Sequence, residues 1–322
     1  MGCVVSLLSI LFKFTSDTIV ILIIGTPSDH RCGALIQRLL ERKLPFSVFN
    51  TQDFPHHSFV DYDIESPQNG HLQTPDMDAP ISLSDITGVY YCTNNNFKVI
   101  NDDPPEVRNI VYNNIDSAAW SFFFGLSCPF YNPIQPANHH NYKVNVLQDL
   151  RAAGIRVPDS VITNRAEAVL NFYEQQNKRV VAKPPWGQAF TERLTPDHLK
   201  DSELNKLTNA PILLQEYIDG NDKRAYVIGN EVFGVEILSD SVDLNQDMTH
   251  ERRAYDLTEE IKTDCLTISK VTNLPFTAID FRETPDGEIV YFEANSSPDF
   301  TCDMHHGYAL DDCLIDCLLG KS

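Results

Sequence analysis

The sequence has no Cys-x-x-Cys pair and no histidine partner at zinc-finger spacing. Its eight cysteines (Cys3, Cys32, Cys92, Cys128, Cys265, Cys302, Cys313 and Cys317) therefore outline neither a structural zinc module nor a dithiol redox centre. Scattered thiols fit a reducing, cytoplasmic setting. Cys313 and Cys317, one helical turn apart in an apolar terminal segment, read as buried free thiols. Basic residues are scarce: 25 Lys and Arg stand against 45 Asp and Glu, a formal net charge of −20, and no Lys/Arg cluster occurs. Nucleic acid is excluded as a partner, because phosphate-backbone binding draws its affinity from such clusters. An anionic substrate must instead be drawn in by a local basic pocket. No Gly-x-Gly-x-x-Gly pattern accompanies the first strand, so a dinucleotide site is unsupported. The apolar stretch Met1 to Phe14 lacks a basic leading region and falls short of the roughly 20 residues a membrane span needs, which argues against both a signal peptide and a membrane helix. Residues 1–16 are expected to form an apolar extension, dispensable or added as a strand, although Met1-Gly2-Cys3-Val4-Val5-Ser6 also fits the N-myristoylation pattern.

What remains is an ordinary globular composition, 42% hydrophobic over 322 residues, enough for two or three lobes with separate cores. The β-branched run Ile19 to Ile24 predicts a buried parallel strand, followed by a helix over Cys32 to Arg42 and a second strand over Phe46 to Phe49. Residues 53–87, rich in Pro, Asp, His and Ser, read as loops with short strands. A strand at Val89 to Cys92 and a helix over Glu106 to Leu126 complete an open α/β lobe, placed at residues 1–135. A second lobe, 136–210, holds helices over Tyr142 to Ala153 and Ala166 to Gln176 and strands at Ser160 to Thr163 and Arg179 to Lys183. A strand-rich third lobe, 211–322, contains strands at Ile212 to Ile218, Ala225 to Ile228 and Glu231 to Leu238, a helix over Glu259 to Val271 and a terminal helix from Leu310 to Leu319. Its last two strands, Thr277 to Arg282 and Glu288 to Ala294, are joined by Thr284-Pro-Asp-Gly287, a turn with proline preset at its first inner position.

That hairpin carries the strongest chemical signal. Side chains alternate along a strand, so Glu293 and Asn295 share a face, and the turn brings Asp280 to within about one residue of facing Glu293. Two carboxylates and an amide oxygen suit Mg²⁺; standing alone, the hairpin would read first as two acids on a solvated sheet face. Lys183 ends an apolar strand and leads into a loop, where a lysine meets phosphate as a point charge or is simply a surface lysine. Lys143 taken singly is a helix-surface residue. Gln215, Glu216, Tyr217 and Ile218 leave the core into a linker, where backbone groups can meet an adenine edge between apolar walls. Asp222 and Arg224 alternate onto one face beside the same cleft.

In this order the pieces resemble the ATP-grasp superfamily, over roughly Asn138 to the C-terminus: Lys143 with Leu150-Arg-Ala-Ala-Gly-Ile-Arg-Val-Pro158, Val180-Val-Ala-Lys-Pro184, Gln215-Glu-Tyr-Ile218, Asp222-Lys-Arg224, Ala278-Ile-Asp280 and Phe292-Glu-Ala-Asn-Ser-Ser-Pro298. The resemblance implies an ATP-grasp fold of α+β lobes behind an N-terminal α/β pre-ATP-grasp domain. It further implies that Lys143 and Lys183 hold the nucleotide phosphates, that Gln215 to Ile218 and Asp222 line the adenine and ribose, and that Arg224 contacts phosphate or the activated carboxylate. Asp280, Glu293 and Asn295 would hold Mg²⁺, as two ions, with Mn²⁺ as an alternative. Within the superfamily the chain is similar to the graspetide (microviridin-type) maturases, which close lactones or lactams on side-chain carboxylates of a precursor peptide, while Asn295-Ser-Ser-Pro298 is closer to the ribosomal-protein glutamate ligases.

Arg252, with Arg253 in the loop after Leu244-Asn-Gln-Asp247, is a second anion-binding candidate, and His250, His305 and His306 are candidate bases. The phosphate-covering segment Pro184 to Phe190 departs from the family in carrying one glycine, Gly187. The expected activity is ATP-dependent activation of a carboxylate, with ATP and an acidic peptide or other carboxylate as partners and a homo-oligomer left open. An amino-acid-adding carboxylate–amine ligase and a catalytically silent nucleotide-binding protein stand as alternatives.

Overall fold

The computed structural model describes residues 20–92, 96–100, 103–139, 142–185, 191–238, 251–303 and 307–321. The N-terminal extension with its Met1–Ser6 pattern, residues 186–190, 244–247, His250, His305 and His306 lie outside the described residues. The chain divides into two compact units, one built from residues up to Ile134 together with 299–303 and 309–321, the other from Gln135–Pro298 with 307–308.

In the first unit, β1 (Val20–Ile24), α1 (His30–Glu41) and β2 (Phe46–Phe49) form the expected β-α-β turn of chain. Three short strands, β3 (Phe59–Asp61), β4 (His71–Gln73) and β5 (Ile81–Ser82), make a small antiparallel sheet. They are followed by β6 (Ile86–Tyr91), α2 (Pro105–Phe124) and β7 (Phe130–Tyr131). The main sheet is parallel, ordered β2-β1-β6-β7. Every residue of β1 is fully buried, as a central parallel strand covered on both faces requires. Val20, Leu22 and Ile24 pack with Phe49, Phe122 and Phe123 on one of those faces.

The second unit begins within α3 (Ile134–His139) and continues through α4 (Lys143–Ala152), β8 (Ser160–Thr163), α5 (Ala166–Gln175), β9 (Val180–Lys183), β10 (Glu192–Arg193), α6 (Asp201–Leu204) and β11 (Ile212–Glu216). Its central sheet runs β10-β9-β11-β8, antiparallel throughout. The strand starting at Ile212, expected to open the last lobe, thus belongs to the central sheet. A five-stranded antiparallel sheet follows, ordered β14-β13-β12-β15-β16, from β12 (Asn221–Ile228), β13 (Glu231–Leu238), β14 (Glu251–Tyr255), β15 (Phe276–Glu283) and β16 (Ile289–Asn295). Helix α7 (Glu259–Thr272) covers one face and, with α4, encloses a core containing Ala225, Val227, Ile279, Phe281 and Tyr291. Asn273 closes α7 in the left-handed conformation.

Two further expectations are corrected. The segment holding Arg252 and Arg253 is a strand rather than a loop; its sequence Glu-Arg-Arg-Ala-Tyr has no apolar run because it forms the sheet's edge, where solvent takes one side. The terminal helix α8 (Leu310–Leu318), assigned to the last lobe, instead packs on α1 and β6 of the first unit. Leu310, Leu314, Ile315 and Leu318 of α8 are fully buried, while Nε of Arg38 in α1 and Nη2 of Arg42, which caps it, donate to Asp312 (3.0 Å) and Asp316 (2.7 Å). Gly88 lets α8 come this close: a Cβ there would lie 2.4 Å from the carbonyl oxygen of Leu318. Among the described residues no helix is long and apolar enough to cross a membrane.

Asp29 caps α1 and receives hydrogen bonds from Arg31 through its main-chain N (2.9 Å), Nε (3.0 Å) and Nη2 (2.7 Å). Burial alone would raise the Asp29 carboxyl, but Arg31 more than offsets this and holds it at about 2, below its ordinary 3.8. A depressed carboxyl contributes stability that is complete above its unfolded value and is lost as pH falls through the folded one. Arg31→Ala should therefore cost about 2 kcal/mol at pH 7, and in denaturant titrations its deficit against the parent should shrink below pH 4. A deficit independent of pH would refute the linkage.

Candidate active site

The five-stranded sheet has a core face, covered by α7, and an opposite face on which the sequence-predicted acids converge. Between β15 and β16 the pairs Ala278↔Asn295 and Asp280↔Glu293 hold, but Phe281 pairs with Tyr291. Phe292 is thus an extra residue, a bulge that turns Glu293 onto the face of Asp280. Arg224 pairs with Asp280 from the other side, so Arg224, Asp280 and Glu293 form a row across three strands, with Asn295 one step along.

The contacts within this row are charge-assisted. Arg224 forks onto Asp280, Nε to Oδ1 at 2.7 Å and Nη2 to Oδ2 at 3.0 Å, and Asn295 Nδ2 donates to Asp280 Oδ2 at 3.1 Å. Burial alone would lower the Arg224 guanidinium, but the carboxylate of Asp280 beside it more than reverses this and raises it well above its ordinary value. Lys143, the first residue of α4, donates to Glu293 Oε2 at 2.7 Å. A cation is disfavoured in a helix's first turn by the peptide dipoles, and Glu293 supplies the compensating charge. Ser296 Oγ donates to Ala137 O at 3.0 Å, tying the end of the hairpin to α3.

The next row of the same face runs Arg252, Ile237, Asp222, Arg282. Arg282 forks onto Asp222 (Nε to Oδ1 2.7 Å, Nη2 to Oδ2 2.9 Å) and reaches Ile218 O at 2.7 Å. Arg282 was not anticipated from sequence, although its position two residues after Asp280 puts it on that face. Arg253 points the other way and donates to Glu236 at 2.7 Å, which separates it from Arg252 and from the row of acids.

The central sheet supplies a second set of side chains. The pairs Leu213↔Lys183 and Gln215↔Val181 place Lys183 and Gln215 on one face, opposite the face of Leu214, Ala182 and Val180, which packs in the core with α5. Gln215 is buried and its Nε2 donates to Ser160 Oγ at 3.0 Å. Tyr217 N donates to Arg179 O at 2.9 Å, which extends the ladder by one pair, so Tyr217 shares the face of Lys183. Glu216 lies on the other face, and its carboxylate is taken up by Arg156 Nη2 (3.2 Å) and Asp159 N (3.3 Å). The Ile218 N–H has no hydrogen-bond partner among the described residues. The Arg282 guanidinium lies 5.9 Å from the centroid of the Tyr217 ring, so the row of acids and the Lys183 face meet at Tyr217 and Ile218.

The family model for the RimK-like ATP-grasp domain matches residues 140–318. The glutamate–LysW ligase ArgX of Sulfurisphaera tokodaii is 29% identical over 173 residues, 49% of this chain and 61% of that protein, so the chain spans under two thirds of the length of this relative. Among solved structures, the macrocyclase MdnC from Microcystis aeruginosa, bound with precursor peptide MdnA, aligns with a TM-score of 0.78 at 22% identity, covering 93% of this chain and 99% of that one. The ATP-grasp ligase PsnB, complexed with a phosphomimetic variant of a minimal precursor, Mg and ADP, aligns with a TM-score of 0.80 at 24% identity, covering 95% and 99%. At these identities the two structures speak for the fold.

Because Arg224 and Asp280 are both largely shielded from solvent, removing one charge strands the other. Asp280→Asn should lower stability by about 2–3 kcal/mol, and Arg224→Met in the same chain should recover most of it. Urea unfolding of the two variants checks this, and an Asp280→Asn protein as stable as the parent would remove the pair from any structural role.

Proposed function

The chain belongs to the RimK-like ATP-grasp family, and on that premise we propose that it is an ATP-dependent carboxylate ligase whose substrate is an acidic precursor peptide. The observation that carries the reading is the row Arg224–Asp280–Glu293 with Lys143 and Asn295, which meets the Lys183 face at Tyr217 and Ile218. Cations and hard oxygen donors on neighbouring sheet faces are what phosphoryl transfer to a carboxylate requires.

In the first step a carboxylate oxygen of the peptide attacks the γ-phosphorus of ATP. The new O–P bond forms as the bond to the β-phosphate oxygen breaks, giving an acyl phosphate and ADP. In the second a hydroxyl or amine attacks the acyl carbon and expels phosphate, with loss of its proton, closing an ester or amide. Lys183 is assigned to the phosphates by its place at the end of β9. The Ile218 N–H and the wall of Tyr217 are assigned to the adenine edge. The side chains of Glu216 and Asp222 are engaged by Arg156 and Arg282, so these two residues are assigned to shaping the base site rather than to direct contact with the base.

Asp280, Glu293 and Asn295 fit a divalent cation by donor chemistry, two carboxylates and an amide, and Mg²⁺ held there would screen the charge of the β- and γ-phosphates. Arg224 and Lys143 neutralise the same two carboxylates in this structure, so the ion would compete with them for those oxygens. Arg224 is assigned to the acyl phosphate, and Arg252, on the same face, to a second anion contact. The peptide assignment draws on the likeness to MdnC and PsnB, both solved with precursor peptides. The kinship with the glutamate–LysW ligase favours a second reading, addition of an amino acid to a carboxylate.

Mass spectrometry of the protein incubated with ATP and acidic peptides separates the two, the first reading giving loss of water and the second a gain of one amino acid. ATP left intact with every peptide and amino acid would reject both. Lys183→Ala should weaken ATP binding by about 1.5–3 kcal/mol, checked by calorimetry, and undiminished affinity would refute its assignment. Glu293→Gln should abolish Mg²⁺-dependent turnover; full activity in that variant would end the metal assignment.

A further inference from the structure

We propose that Arg193, on edge strand β10, is a nucleotide-contacting residue that binds the α-phosphate of ATP. The inference rests on the ATP-binding reading above and adds a residue that the motif pattern did not single out.

The register places it. Arg193 pairs with Val181, and Val181 with Gln215, so Arg193 lies on the same face of the central sheet as Lys183 and Gln215. Tyr217 is on this face as well, and the Arg193 guanidinium stands 3.9 Å from the centroid of its ring, a stacking contact that fixes the direction of an otherwise exposed side chain.

The charges set it apart. Arg179 pairs with Asp219 at 2.6 Å, Arg282 with Asp222, Arg224 with Asp280, and Lys143 with Glu293. Arg193 has no carboxylate partner among the described residues, in a chain of net charge −20. A guanidinium left unmatched amid such an excess of acids offers two parallel N–H donors to an incoming anion.

The spacing matches a nucleotide. Lys183 stands opposite Leu213, and Tyr217 is four residues further along, about 13 Å at strand rise. That distance suits an extended nucleoside triphosphate with its base at Ile218 and its terminal phosphate at Lys183. The backbone of Arg193 lies on the row midway between these ends, and from there its side chain leans toward Tyr217, so its guanidinium stands on the path from the base to the first phosphate. The sequence also explains why a side chain is used there: Pro184 to Phe190 contains a single glycine, so few backbone N–H groups can crowd a phosphate without steric cost.

The test compares ATP, AMP and adenosine as ligands of the full chain, with affinities from calorimetry or competition, for the parent, Arg193→Gln, Arg193→Lys and Lys183→Ala. Unchanged melting temperatures establish that the variants are folded. Arg193→Gln should lose roughly tenfold in affinity for both ATP and AMP while adenosine changes less than about twofold, with Arg193→Lys recovering part of the loss. Equal losses for AMP and adenosine would mean that Arg193 only props Tyr217, and undiminished AMP affinity would mean that it does not touch the nucleotide; either overturns the proposal. If Lys183→Ala weakens ATP binding and Arg193→Gln does not, the Arg193 assignment alone fails. A parent protein that binds no ATP brings down the ligase reading and this inference together.

Discussion

The forked pairing of Arg224 with Asp280 constrains everything around it. Two charges removed from water must satisfy one another, so β12 and β15 are locked in the register that faces them. Asn295 is then drawn to the remaining lone pair of Asp280, and the bulge at Phe292 brings Glu293 alongside, where Lys143 meets it. A one-residue slip in either ladder would turn the acids to opposite faces and bury a carboxylate in the apolar core against α7. The arrangement that prepares the site for chemistry also maintains the sheet.

This explains what was readable in the chain and what was not. Strands whose burial is uniform, such as β1, announce themselves through composition, and β2, β8 and β13 stand at their expected boundaries. The convergence of Asp280, Glu293 and Asn295 followed from turn chemistry to within one residue, and the residue that closes that gap is a bulge, which leaves no signature in a side-chain pattern. Edge strands β10 and β14 escaped because charged residues suit a half-solvated edge as well as a loop. The pairings of Asp222 with Arg282 and of Glu216 with Arg156 escaped for another reason: they join residues about 60 positions apart, and only the sheet order brings them together.

The excess of acid takes on a different sense once the pairs are known. Near the site Arg224, Arg282 and Lys143 are held by carboxylates, while Arg193 is stacked on an aromatic ring. Held cations keep the acids of the site compact and oriented.

The docking of α8 against α1 and β6 has a consequence for the making of the protein. The first unit is discontinuous in the chain: its β-α-β core leaves the ribosome early, but the helix covering part of that core, with the acids that meet Arg38 and Arg42, is translated only after the second unit. Throughout synthesis of the second unit the nascent parallel sheet carries an uncovered hydrophobic flank, the kind of surface to which chaperones bind. Completion of the first unit therefore awaits synthesis of α8, and a ribosome that stalls before it leaves a chain whose second unit is largely made and whose first is not.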